Sequence, residues 1–190
     1  MYLHTLHAVT DLVVLDGANG LRAAVRDALG DVPVQRCQRH KRENVVSYRS
    51  KPQQVVWRRT LHAADAHPTY AEAKRAVLRL VRDLTPINAS AAASLDEGLE
   101  ETLTLHRLGV AAELGTSFTT TNLIESVMAR VDAKTRRVAR WRTSDQKLRW
   151  CAAIALQIEQ QFRKVKGYKK LGVLQQALKR RLHVQSAAAA

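Results

Sequence analysis

Asp16 closes a purely apolar run, Leu12-Val-Val-Leu15, and is followed directly by Gly17. Open α/β sheets place reactive groups at the C-terminal ends of buried strands, and a glycine there lets the backbone turn sharply. The same Asp-Gly pair is also an ordinary turn former, and local pattern alone favours that reading. Glu125 lies one turn into a helix, where an acid suits the helix dipole whatever else it does. Cys37-Gln-Arg-His40 offers two metal-ligating side chains three apart. Structural zinc takes four ligands, usually as two such pairs, and the sequence has no second Cys/His pair. Trp141 stands among Arg136, Arg137, Arg140 and Arg142. That mixture of cations and an aromatic suits contact with a nucleic-acid backbone, whereas Trp150 reads as core. A phosphate-binding glycine loop, His-Glu-x-x-His and Gly-x-Ser-x-Gly are all missing.

The elements that must hold these residues can be read from pattern. Leu12–Leu15 reads as a strand buried on both faces. Asn19 is placed to cap a helix carrying Leu21, Ala24, Val25 and Leu29, which Gly30 stops. Val32-Pro-Val34 reads as a second short strand with Pro33 at its start or on an edge. Strand, helix, strand is a crossover unit, which favours parallel pairing. After Cys37 the pattern is helical. Pro52 opens one helix, and Thr69-Tyr-Ala-Glu72 is a capping box for the next. A further helical stretch is expected from Asn88 to Leu108. Thr119-Thr-Thr-Asn122 precedes an amphipathic helix in which Ile124 and Val127 face the core and Glu125 sits at that face's edge. Two more helices, from Ser144 and Lys170, complete the chain.

The 190 residues carry 31 Lys and Arg against 17 Asp and Glu, a net charge of +14. The excess is uneven. Residues 1–125 hold 15 basic and 14 acidic side chains, and residues 126–190 hold 16 and 3. A segment this basic points to a polyanion, most often nucleic acid. Two cysteines make no disulfide framework, and no apolar run approaches the roughly 20 residues of a membrane helix. The opening residues have no signal-peptide pattern. A reduced, cytoplasmic, nucleoid-associated setting is therefore expected, with no membrane.

Five segments in order resemble one family. Val13-Val-Leu-Asp16-Gly-Ala-Asn-Gly-Leu-Arg is similar to its strand-to-helix element. Val34-Gln-Arg-Cys37-Gln-Arg-His40 is similar to its Cys-x-x-His signature. Ser94 to Leu108 resembles its helical insertion, Thr120-Thr-Asn122-Leu-Ile-Glu125 its last acidic segment, and Trp141 to Trp150 its closing helical region. The family is the Mutator-type DDE transposases of bacterial insertion sequences. The resemblance implies an α/β, predominantly helical fold: a ribonuclease-H-like core interrupted by a helical insertion. It implies Asp16 and Glu125 as catalytic carboxylates holding Mg²⁺ or Mn²⁺, with Cys37, His40 and Asn122 near the site. Arg130, Lys134, Arg136, Arg137, Arg140, Trp141 and Arg142 become the expected DNA-binding set. The reaction implied is metal-dependent cleavage of transposon ends and joining of the freed 3′-OH to target DNA. Mg²⁺ prefers hard oxygen ligands, and two such ions can stabilise both the attacking and the leaving oxygen of an in-line displacement.

The expected organisation is a partial core over 1–51, the helical insertion over 52–115, a core-completing segment with basic helices over 116–183, and a disordered tail over 184–190. The family's first Asp comes from an earlier strand. The one acid before Asp16 is Asp11, at the other end of the expected strand, about 16 Å away at ~3.3 Å per residue. The chain therefore reads as a truncated transposase, inactive by itself in cleavage. The expected partners are transposon-end and target DNA, and a second copy or a full-length transposase. A non-catalytic DNA-binding or regulatory module is the competing reading.

Overall fold

The computed structural model describes residues 11–188. Residues 1–10 of the first expected segment, and residues 189–190 of the expected tail, lie outside them. The described chain is predominantly helical and divides into two compact units. One comprises residues up to Thr120 together with those from Lys166; the other is Thr121–Val165.

The first unit begins with β1 (Val13–Leu15), α1 (Asn19–Leu29) and β2 (Val34–Arg36). The strands pair in parallel, Val13 opposite Val34, Val14 opposite Gln35 and Leu15 opposite Arg36. The crossover expected from the sequence is therefore present, with two differences. In β1 only Leu15 is buried, and Val13 and Val14 are half-covered. The second strand starts after Pro33 and is buried throughout, including the polar Gln35 and Arg36. Helix α1 starts with Ala18 as its N-cap, one residue before the expected Asn19, and ends at Gly30, whose φ of 73° suits a glycine.

Gln35 is buried because it completes hydrogen bonds that a third strand would otherwise supply. Its Nε2 donates to the Arg36 and Thr102 carbonyls at 2.8 and 2.7 Å, and its Oε1 accepts from the Leu105 N–H at 2.9 Å. Thr104 Oγ1 donates to the Val34 carbonyl at 2.7 Å. Leaving such buried backbone groups unmet costs about 1–3 kcal/mol each.

Helices α2 (Gln38–Ser47), α3 (Lys51–Asp65), α4 (Tyr70–Leu84) and α5 (Ala89–Asp96) share one apolar core. Val45, Leu61, Val77, Leu84, Leu95 and Leu103 are among its buried members. The Thr69 box forms: its hydroxyl accepts from Glu72 N–H and donates to the Glu72 carboxylate at 2.7 Å. The single helix expected over Asn88–Leu108 is instead three: α5, α6 (Leu99–Thr102) and α7 (Thr104–Arg107). Gly98, at φ 65°, breaks the first from the second. A second cluster joins Leu105, Val110 and Leu114 of α8 (Ala111–Phe118) to Leu174 and Leu178 of α11 (Leu171–Ala188). Because α11 runs to Ala188, residues 184–188 are helical where a disordered tail was expected. Among the described residues no helix is long and apolar enough to cross a membrane.

The second unit is a pair of packed helices, α9 (Asn122–Thr135) and α10 (Ser144–Glu159). Thr143 caps α10 by accepting from Gln146 N–H. In α10, Ile154 and Ile158 are buried; in α9 no residue is.

Candidate functional site

Asp16 stands at the C-terminal end of β1, half-buried, with its Oδ1 accepting from Ala18 N–H at 2.9 Å. This short turn leads the chain from strand to α1. Gly17 carries a φ of 101°, a conformation side chains resist. Cys37 follows the parallel β2 and is fully buried; its N–H donates to the carbonyl of Leu15, the residue before Asp16. Asp16 and the Cys37–His40 motif thus meet at the same end of the two strands. His40 lies half-buried in the first turn of α2.

Behind Asp16 lies a polar lattice that sequence reading did not anticipate. Arg36 is 6% exposed and sends both terminal nitrogens to the Glu97 carboxylate at 2.9 Å. The buried Lys41 reaches the Ser94 carbonyl, the Glu97 carbonyl and, at 3.3 Å, the Glu97 carboxylate. Burial depresses the Lys41 pKa, helped by neighbouring Arg36 and opposed by Glu97. The bond from Arg36 is the main reason the Glu97 carboxyl titrates below its ordinary range. Arg22 pairs with Glu101 at 2.6 Å. Arg22, Arg36, Glu97 and Glu101 border a cleft of about 620 Å³ that also touches Leu15 and Gly17. Sequence offered one usable signal for the lattice: Glu97-Gly98 interrupts a helical pattern.

Glu125 belongs to the other unit, half-buried in the first turn of α9, with its Oε1 accepting from the Thr121 hydroxyl at 2.6 Å. The expectation that Ile124 faces a core is corrected: Ile124, Leu123 and Met128 are each more than half exposed, while Glu125 is better covered. Asn122 is exposed at the start of α9. Arg130 donates to the Gln161 amide oxygen, and Lys134 to that of Gln157 at 2.8 Å. Arg136, Arg137, Arg140 and Arg142 are exposed. Trp141 is half-buried and meets Trp150 edge to face, ring centres 6.4 Å apart. Trp150, expected in a core, is 45% exposed. The second unit therefore gathers the basic-aromatic set, and the first gathers Asp16 with Cys37 and His40.

Asp16 and Glu125 each present carboxylate oxygens, the donor type a hard divalent cation takes. Among the described residues, no group of three or more His, Cys, Asp and Glu side chains is gathered as a cage. The family model described as Transposase, Mutator family matches residues 6–165 of the 190-residue chain. No curated protein and no solved structure matches it.

Proposed function

The chain belongs to the Mutator family of transposases, which ties it to DNA transposition, and on that premise we propose that Asp16 and Glu125 each serve as a metal-ligating carboxylate for phosphoryl transfer on DNA. The observation that carries this reading is Asp16 itself: a half-buried carboxylate at the C-terminal end of a parallel strand, directly before the Gly17 turn. Mg²⁺ or Mn²⁺ bound there would supply charge stabilisation at the phosphate undergoing displacement. The protein's own share is to aim the two carboxylates, through the Ala18 N–H on Asp16 and the Thr121 hydroxyl on Glu125. The parallel β1–α1–β2 crossover supports a ribonuclease-H-like core, with residues 52–115 as the helical insertion between the two acids.

Mn²⁺ binding tests the reading directly. Asp16→Asn and Glu125→Gln should each weaken Mn²⁺ binding by about tenfold or more, measured by relaxation of water protons. Equal affinity in both variants and the parent overturns it. On this reading Asp11, which precedes β1 while Asp16 follows it, does not act as a third ligand beside Asp16. Residues 1–190 alone should therefore not nick transposon-end DNA in Mg²⁺ or Mn²⁺. Cutting above the Asp16→Asn background would refute that.

The second reading, a DNA-binding module that acts without cutting, is favoured by the unit Thr121–Val165. It carries ten basic and four acidic side chains, and two of its cations bond neutral glutamines. Its DNA affinity should fall steeply with salt, with a slope near −0.9 per phosphate contacted. A second copy or a full-length transposase is the proposed protein partner.

A further inference from the structure

Arg36 is the register partner of Leu15, so its side chain leaves β2 beside the end of β1. There the guanidinium lies against the Gly17 turn. Nη2 donates to the Gly17 carbonyl at 3.4 Å, and a Cβ at position 17 would come within 2.7 Å of Arg36 Cζ. On its other side the group meets Gly98, where a Cβ would overlap Nη1. Both glycines have positive φ, 101° and 65°. One buried cation is thus set between two backbone turns, neither of which has room for a side chain. The bidentate bond to Glu97, 2.9 Å on each branch, fixes the plane of the guanidinium. Lys41 ties the Glu97 carbonyl and carboxylate in place from behind.

A structural ion pair joining β2 to the end of α5 would need none of this contact with Gly17. The peptide that Arg36 grips is the one joining Gly17 to Ala18: its carbonyl accepts from Arg36, and its N–H, that of Ala18, bonds the Asp16 carboxylate at 2.9 Å. We propose that Arg36 is a positioning residue for the reaction, with Glu97 as its counter-clamp: holding the Gly17 peptide fixes the direction in which Asp16 presents its carboxylate. This rests on the reading of Asp16 as a metal ligand. Losing a group that orients a ligand from behind typically costs about 10–100-fold in metal affinity. Lysine cannot substitute for the fork, because a point charge sets no plane.

The test uses the full chain with isotope labelling, Mn²⁺ as the probe, and Glu97→Ala, which takes the carboxylate away from the buried Arg36 and Lys41, so that integrity of the fold is read in the same experiment. Two quantities are read: amide exchange at Ala18 relative to the Val77 and Leu80 amides of α4, and Mn²⁺ affinity. The clamp predicts Ala18 exchange faster by about tenfold with α4 unchanged, and Mn²⁺ binding weaker by about tenfold. Glu97→Gln, which keeps one acceptor for Arg36, should recover most of both. Arg36→Lys should behave like Glu97→Ala. Unchanged Ala18 exchange and unchanged Mn²⁺ affinity in Glu97→Ala overturn the proposal. If α4 exchange rises together with Ala18, the variant has lost its fold, and Glu97→Gln decides by the same two numbers. Should the parent show the same Mn²⁺ affinity as Asp16→Asn, the metal reading fails. Ala18 exchange then still tells whether Arg36 holds the turn.

Discussion

The helices α2–α5 and the pair α9–α10 solve opposite problems with similar material. Each is helical, charged and rich in alanine and leucine. In the first, Val45, Ala73, Leu84 and Ala91 are sealed from solvent and the charges answer one another. Arg42 meets Asp65 at 2.5 Å, Arg58 meets Glu43 at 2.8 Å, and Lys74 meets Glu100 at 2.6 Å. In the second, Leu123, Ile124, Met128 and Leu148 lie open, and Arg130 and Lys134 bond amides, which leave their charge in place. The first arrangement is what a self-sufficient core needs. The second keeps apolar surface and positive charge outward, the pattern of a surface that meets something else.

That contrast can be broken most forcefully in the core. Leu84→Ala, at a fully buried site, should cost about 3–5 kcal/mol of unfolding free energy, whereas Met128→Ala, 56% exposed on α9, should stay within about 0.5 kcal/mol. Urea titration of both variants measures the ratio; equal losses would erase the distinction between the two regions.

The next effect concerns pH. Burial pushes Asp65 up to about 6 against the opposing pull of Arg42 and, more weakly, His62. Ionising it costs the folded state, so its contribution is complete below about pH 4 and is lost as pH rises through about 6. The loss is on the order of 3 kcal/mol. His106, whose Nε2–H donates to the Asp65 carbonyl, works in the other sense. Burial lowers its pKa, so its contribution is lost as pH falls below the ordinary histidine range. Comparing the parent with Asp65→Asn by denaturant titration at pH 4 and pH 7 isolates the aspartate. A constant difference between the two chains across that range would contradict the assignment.

A smaller effect sharpens the other side of the comparison. Replacing both Arg136 and Arg137 with Gln should leave stability within about 0.5 kcal/mol, because both are exposed, and should flatten the salt dependence of DNA binding by about 0.9 per contact removed. Gel-shift titrations over a salt series give the slope. Thr69→Ala, which removes the hydroxyl that caps α4, should have the smallest measurable cost in the core, about 1 kcal/mol by thermal unfolding.

Much of this was legible in the residues themselves. The Thr69 box, Pro52 and Gly30 punctuate helices by local chemistry, and local chemistry can be read from sequence. The parallel crossover followed from strand, helix and strand in order. Gln35 and Arg36 were not legible as buried, because polar residues ordinarily mark surface. Their burial depends on Thr102, Leu105 and Glu97, more than sixty positions away. Ile124 and Trp150 show the converse: periodicity reveals which face of a helix is apolar but not whether anything covers it. Asp16 could be placed at a strand end from pattern alone, whereas the guanidinium behind it is a tertiary fact.

Gln35 has a last consequence, for the polarity of sheet growth. The Pro33 carbonyl and the Cys37 N–H face β1, so the Val34 and Arg36 carbonyls point the other way, and both are already occupied by Thr104 Oγ1 and Gln35 Nε2. Two side chains have signed off those carbonyls in place of a strand. An additional strand, from this polypeptide or another, would have to displace those side chains before it could pair with β2, which gives the two-stranded ribbon unequal margins.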